Sequence, residues 1–146
     1  MIRLKASIVV CSYNQAPFLG RAIESVVEQQ GCDREELEVL VIDGGSKDGS
    51  VEIIRSFEDR LTYWVSEPDR GQSHAINKGF QRSTGDIQGW LCSDDVLEPR
   101  AVRTVLDYFG RNPEARCFYG DAWLIDEQDR LIKPKKEIPF NWFIWR

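Results

Sequence analysis

The feature that most constrains this chain is an alternation of two periodicities. Short continuous apolar runs, of the kind that form strands buried on both faces, are separated by stretches whose apolar residues recur at helical spacing. Ser7–Ser12 is the first such run. After Tyr13-Asn14-Gln15-Ala16-Pro17, the residues Leu19, Ala22, Ile23, Val26 and Val27 trace one face of a helix, which Gly31 closes. Leu37–Asp43 predicts a second strand, leading into the polar turn-rich loop Gly44–Ser50 and a short helix marked by Val51, Ile53, Ile54 and Phe57. A third strand over Leu61–Ser66 precedes the polar loop Glu67–Gly71 and a helical face of Ala75, Ile76, Gly79 and Phe80. Asp86–Cys92 predicts the fourth strand, with Ser93-Asp94-Asp95 directly behind it. Pro99 suits the first position of the next helix, whose face is Ala101, Val102, Val105, Leu106 and Phe109. Cys117–Ile125 predicts a fifth strand, and Asp126–Asp129 a hairpin turn toward Leu131-Ile132.

Strands joined through helices require right-handed crossovers. The expected fold class is therefore α/β, a mostly parallel sheet with helices on both faces. No repeat, linker or low-complexity tract interrupts the 146 residues, so a single domain spanning 1–146 is expected.

Charge and composition narrow the function classes. A formal net charge of −5 argues against a chain that binds nucleic acid through its phosphates. The apolar runs are too short to cross a bilayer, and the N-terminus Met1-Ile2-Arg3-Leu4-Lys5 lacks an apolar export core. A cytoplasmic location is expected. Cys11, Cys32, Cys92 and Cys117 form no C-x-x-C pair. Cys11, Cys92 and Cys117 sit in or beside strand-like runs and read as small buried hydrophobes, so a reduced chain is expected.

In an open α/β sheet, ligands bind outside the carboxyl ends of the strands. Here those ends carry Ser12-Tyr13-Asn14, Asp43, Glu67-Pro68-Asp69 and Ser93-Asp94-Asp95. Acids gathered on one rim repel one another unless a cation or hydrogen-bond donors sit among them. Asp94-Asp95 can both turn toward one site, where a hard divalent cation would bridge them to a diphosphate. In the other reading, one Asp caps the helix near Pro99 and the other is solvated. His74, the single histidine, rules out a multi-histidine metal centre and reads as a surface or capping residue. The dinucleotide G-x-G-x-x-G, the P-loop and the G-x-S-x-G elbow are all missing. Gly45 and Lys47 occupy positions where a calcium loop needs oxygen ligands.

Several segments taken together resemble the family-two inverting glycosyltransferases, which have the A-type nucleotide-sugar transferase fold. The matching pieces, in order, are Ser7–Asn14, Leu40–Ser50, Ser66–Gly71, Ala75–Phe80, and Thr84-Gly85-Asp86 running into Trp90–Asp95. The resemblance covers about Ser7 to Asp126, and its nearest branch builds bacterial cell-surface polysaccharides. It implies that Asp43 accepts the imide hydrogen of a uracil-like base. Ser12, Tyr13 and Asn14 would lie beside the nucleotide, and Asp69 and Arg70 would border the base or diphosphate. Asp94 would face the ribose, while Asp95 would hold Mg²⁺ or Mn²⁺. Ser93 stands where the family's acidic triplet often begins with Asp, which implies coordination through one carboxylate. His74 stands where relatives often carry an acid, and Gly79 reads as a packing residue.

The resemblance also implies a reaction: metal-assisted, inverting transfer of a sugar from a nucleoside-diphosphate sugar to a hydroxyl of a saccharide or lipid-linked acceptor, at the inner face of the membrane. The general base lies well downstream in this family, beyond Arg146, and Asp121 is the weak candidate within the chain. The chain is thus expected to be an N-terminal donor-binding portion whose aromatic end, Phe140–Trp145, packs on a missing segment or another subunit. The alternatives are a natural short protein whose tail folds back, and a non-catalytic nucleotide-sugar-binding or assembly module.

Overall fold

The computed structural model describes residues 3–137, so expectations for the aromatic end lie outside the described residues. By its internal contacts the chain divides into two compact units, with the boundary between Pro113 and Glu114.

The first unit runs β1 (Ala6–Ser12), α1 (Ala16–Val27), β2 (Leu37–Asp43), α2 (Ser50–Ser56), a single 3₁₀ turn (Glu58–Arg60), β3 (Tyr63–Ser66), α3 (Gln72–Arg82), β4 (Ile87–Cys92) and α4 (Ala101–Arg111). Its four strands form one sheet in the order β3-β2-β1-β4, and every pairing is parallel. Steps from β1 to β2 to β3 move one way across the sheet, and the step to β4 returns past β1. Right-handed crossovers must then place α3 opposite α1 and α2. The two cores agree. Val10, Val39, Val41 and Leu91 pack with Leu19, Ala22, Ile23 and Val26 of α1 and Ile54 of α2. On the other face Val9, Cys11, Leu40 and Ile42 pack with Ala75 of α3. α4 adds Val102 and Leu106 against Ala6. This is the expected α/β architecture with helices on both faces of a parallel sheet.

α1 begins without a cap of its own, and Asp48 from the loop after β2 supplies one, accepting the Ala16 amide at 2.9 Å. α4 starts at Ala101, two residues past the expected Pro99. There Gln29 accepts the Val102 amide at 2.9 Å and donates to the Glu98 carbonyl at 2.8 Å, so a side chain from the end of α1 organises the turn. α3 lies close to the sheet because of Gly79. A Cβ at that position would come within 2.4 Å of Val9 Cγ1, so the glycine is a packing residue as expected.

At the edge away from the site, Glu38 is a buried carboxylate inside β2. Ser7 donates to it, as do the Thr84 amide at 2.7 Å, the Thr84 hydroxyl at 2.9 Å and Lys5 Nζ at 3.2 Å. Burial alone would raise its pKa, but these donors together hold it below the usual carboxylate range.

The second unit contains the hairpin of β5 (Ala122–Ile125) and β6 (Leu131–Lys135), paired antiparallel. The hairpin turn is where the sequence predicts it. The expected fifth strand from Cys117 is shorter than expected and belongs to this separate two-stranded sheet, not to the parallel one. Phe118 and Tyr119 have strand propensity, but Gly120 follows them and they lie outside the β5–β6 ladder. Cys117 is exposed rather than buried, and Cys92 is half-buried; no cysteine among the described residues is bonded to another. None of the helices among the described residues is long and apolar enough to cross a membrane.

Candidate functional site

The carboxyl ends of all four parallel strands reach the same rim. Ser12 is in register with Asp43, Asp43 with Ser66, and Cys11 with Cys92. The topological switch falls between β1 and β4, the position at which such sheets open a crevice. Asp43 and Cys92 flank the end of β1 from either side, so roughly two strand spacings, ~10 Å, separate them.

Asp43 is the structural hub of this rim. It has no exposed surface, and its carboxylate serves its own loop and the neighbouring strand exit. Oδ2 accepts the Gly45 amide at 3.1 Å, the Ser46 amide at 2.8 Å and Ser66 Oγ at 2.6 Å, while Oδ1 accepts Ser46 Oγ at 2.5 Å. The first loop is tied to the second in turn. The Asn14 amide donates to Ser46 Oγ at 2.7 Å, and Asn14 Oδ1 accepts the Lys47 amide at 3.0 Å. Asn14 is held at φ 51, a left-handed conformation that asparagine tolerates better than most residues. Asp48 links α1 to the start of α2, accepting Ser50 Oγ at 2.6 Å. That bond and the Ala16 amide hold its carboxyl below the usual range.

Above this scaffold, three groups meet. Tyr13 is 63% exposed, and a Cβ built on Gly44 would lie 2.9 Å from Asp69 Oδ2 and 3.2 Å from Tyr13 Cδ2. A ring and a carboxylate therefore border a strip of bare backbone, and only glycine leaves that strip open. Asp69 is held by its own turn, with Oδ1 accepting the Gly71 amide at 2.7 Å. The loop carrying it is fastened to α3: Lys78 pairs with Glu67 at 2.9 Å, and the Arg70 amide donates to His74 Nδ1 at 3.1 Å. Lys78 accordingly holds the Glu67 carboxyl below its usual range.

On the far side of β1, Cys92 Sγ and the carboxylates of Asp94 and Asp95 lie within 4.8 Å of one another, both acids being exposed. Two adjacent carboxylates suit a hard divalent cation. Ser93, which precedes the pair, is buried. Cys92 brings a sulfur to the group. Burial raises its pKa, and the negative charges of Asp95 and Asp94 raise it further. Burial, then the neighbouring Cys92, pushes the Cys11 thiol up to about 11, so both sulfurs are protonated near neutrality. Ser12 Oγ is buried at the same strand end without a hydrogen-bond partner among the described residues, a polar group of the kind a bound ligand or water satisfies.

Of the residues singled out from the sequence, Ser12, Tyr13, Asn14, Asp43 and Asp69 gather at the β1, β2 and β3 exits, while Asp94 and Asp95 stand at the β4 exit. Arg70 is exposed on the Asp69 loop. Asp121 lies in the second unit, where its Oδ1 accepts the Glu137 amide at 3.0 Å. The sequence assigns nothing to Ser46, Asp48 and Ser66, which build the scaffold, and it presents Cys92 as a small hydrophobe where the structure sets its sulfur beside the acids. The Asp-Gly-Ser turn at Asp48 was the available signal for one of them.

Comparison with known proteins places this geometry. The model of glycosyl transferase family 2 matches residues 7–145. An uncharacterised glycosyltransferase of Mycobacterium tuberculosis is 38% identical over 137 residues, covering 92% of this chain and 50% of the relative. Chondroitin synthase of Escherichia coli is 32% identical over 142 residues, covering 95% of this chain and 20% of the relative. Among solved structures, the mannosyltransferase PcManGT of Pyrobaculum calidifontis, in complex with GDP-Man and Mn²⁺, superposes with a TM-score of 0.65 at 26% identity, over 88% of this chain and 38% of that one. S. aureus TarS 1-349 in complex with UDP-GlcNAc shares the fold with a TM-score of 0.67 at 20% identity, over 74% of this chain and 32% of that one. The chain thus spans half or less of the length of these relatives. With the family model matching nearly its whole length, the chain belongs to glycosyl transferase family 2.

Proposed function

We propose that this chain is the donor-binding portion of a metal-dependent, inverting glycosyltransferase that moves a sugar from a nucleoside-diphosphate sugar to a hydroxyl acceptor in surface-polysaccharide synthesis. One observation carries the reading. A ring-and-carboxylate slot (Tyr13, Gly44, Asp69) shares its rim with a pair of adjacent carboxylates (Asp94, Asp95) two strands away. A base at the slot and a diphosphate with its cation at the acidic pair would each meet complementary groups along this one rim. The ligands named for PcManGT and TarS are of this class.

Within the reading, the Tyr13 ring lies against the base, and Asp69 Oδ2 is the acceptor for a uracil-type imide. Asp43 contributes from beneath: its buried carboxylate is engaged by Gly45, Ser46 and Ser66, so it shapes the loop that the base meets. Ser12 and Asn14 border the nucleotide from the first loop, and Arg70 offers a cation beside the diphosphate. Asp94 faces the ribose. Asp95, with Asp94 and Cys92 beside it, would hold Mg²⁺ or Mn²⁺, and a bound divalent ion supplies Lewis-acid stabilisation of the departing diphosphate. The acceptor hydroxyl must also lose a proton to a base within hydrogen-bond reach. We assign that base and the saccharide or lipid-linked acceptor to the additional sequence of the longer relatives, and the location to the cytoplasm, at the membrane face.

Calorimetric titration of the chain with UDP, GDP and dTDP, with and without Mn²⁺, tests the proposal. UDP or dTDP is expected to bind in the presence of Mn²⁺ only, and Asp95→Ala to weaken that binding by about tenfold or more. A preference for GDP would overturn the uracil assignment. Absence of binding to all three would overturn the donor reading and favour an assembly role. Nucleotide-sugar binding by the full-length protein without sugar transfer would identify a non-catalytic module.

A further inference from the structure

His74 is the single histidine of the sequence, and the family resemblance gives it no task. In the structure it is half-buried in the first turn of α3, and its Nδ1 accepts the Arg70 amide at 3.1 Å. An imidazole accepts at Nδ1 only when it is neutral and carries its proton on Nε2, so this hydrogen bond assigns the tautomer. The Arg70 amide belongs to the peptide that follows Asp69 directly. Other parts of the loop are fastened separately. The Glu67 amide reaches the Asp43 carbonyl at 3.0 Å, Lys78 holds Glu67 and the Pro68 carbonyl, and Asp69 Oδ1 takes the Gly71 amide. The Asp69–Arg70 peptide itself is held by His74.

We propose that His74 is a positioning residue of the donor slot: in its neutral form it fixes the Asp69–Arg70 peptide, and so sets the place of the Asp69 carboxylate against Gly44. The inference rests on the donor reading above for what the slot binds, but the loop contact stands without it. When the ring takes a second proton, Nδ1 becomes a donor facing a donor. The hydrogen bond is lost, the peptide turns, and Asp69 Oδ2 leaves its position beside Gly44 and Tyr13. Nucleotide affinity then falls. The charged groups around the ring are Glu67, Asp69 and Arg70 of the loop and Lys78 on its own helix. Glu67 stays ionised near neutrality, since Lys78 holds its carboxyl below the usual value. An acid or an amide at position 74 would offer the same acceptor without titrating near neutrality.

The test uses the ¹⁵N-labelled chain, and UDP-GlcNAc with Mn²⁺ as the probe, because its fully substituted diphosphate does not ionise between pH 5.5 and 8. In the wild type, the Arg70 amide resonance is expected to titrate with the same midpoint as the His74 ring. In His74→Asn, whose side-chain oxygen replaces Nδ1, it stays fixed. UDP-GlcNAc affinity is expected to fall about fivefold between pH 7.5 and 5.5 in the wild type, the order of one lost hydrogen bond, and by less than about twofold in His74→Asn. His74→Ala, checked for folding by its thermal melt, is expected to bind weakly at both values. An Arg70 amide indifferent to the ring overturns the proposal, as do parallel pH profiles for wild type and His74→Asn. If neither protein binds the probe at any pH, the donor reading and the affinity half of the proposal fall together, while the amide titration still judges the loop contact.

Discussion

Two glycines show how differently one added methyl can act. At Gly79 the nearest atoms are both methyls of Val9, at 2.4 and 2.6 Å, inside a strand that cannot retreat. Gly79→Ala should lift α3 from the sheet and cost about 1–3 kcal/mol, read as a lower urea midpoint. At Gly44 the neighbours are the ends of Asp69 and Tyr13, which can swing aside. Gly44→Ala should leave stability within about 1 kcal/mol of the parent, while nucleotide affinity measured by calorimetry drops because ring and carboxylate have moved. Much at this scale was legible beforehand: the rim residues followed from where the strands end, and the packing role of Gly79 from its place on an apolar helical face. Less legible was what each side chain does there. Asp43 stands before two glycines at a strand tip, a pattern equally suited to a ligand contact and to a turn. Its complete burial and its bonds to Ser46 and Ser66 are tertiary facts that this pattern does not announce. The bond to Ser46 is local to the turn, but the one to Ser66 reaches the neighbouring strand, and no periodicity encodes it.

Among the elements, β2 carries the load at both ends. Its outer end holds Asp43 over the rim, and its inner end holds Glu38 under Ser7, Thr84 and Lys5, joining β1, β2 and the approach to β4. The Glu38 carboxyl titrates lower in the folded chain than its ordinary value of 4.5. Its ionised form therefore favours the folded state: that contribution is complete above about pH 4.5 and disappears as pH falls through the lower, folded value. Glu36 adds the same sign, its carboxyl lowered by the Asp33 amide against the cost of burial and helped by Arg103. Denaturant melts should show stability declining below about pH 4.5, and Glu38→Gln should cost about 1–3 kcal/mol at pH 7 with a shallower acid decline. The strands were read well from sequence where burial on both faces makes the run continuous. Leu37–Asp43 matches residue for residue. Cys117–Ile125 misled because aromatic β-propensity says nothing about whether a partner strand is at hand, and the partner turned out to be Leu131–Lys135.

For the whole molecule, the relevant comparison is with relatives of which this chain spans between a fifth and a half. A donor portion able to bind alone should be stabilised by its ligand through mass action. UDP-GlcNAc at about a hundredfold excess over Kd, with Mn²⁺ present, should add about 2.7 kcal/mol and raise Tm by several degrees, and EDTA should abolish the rise. A melt unchanged by nucleotide and metal would count against the donor assignment. The fold class was readable at this level because strand–helix alternation and right-handed crossovers leave few topologies, and the order β3-β2-β1-β4 is one of them. The hub beneath the slot has a further consequence. Because Asp43 knits two loop exits into the frame, the walls are inherited with the fold, and a lineage that changed its nucleobase would have little reason to rebuild them. Diversification among such chains would instead concentrate on the protruding groups at positions 13 and 69, where a replacement alters recognition while the foundations stay as they are.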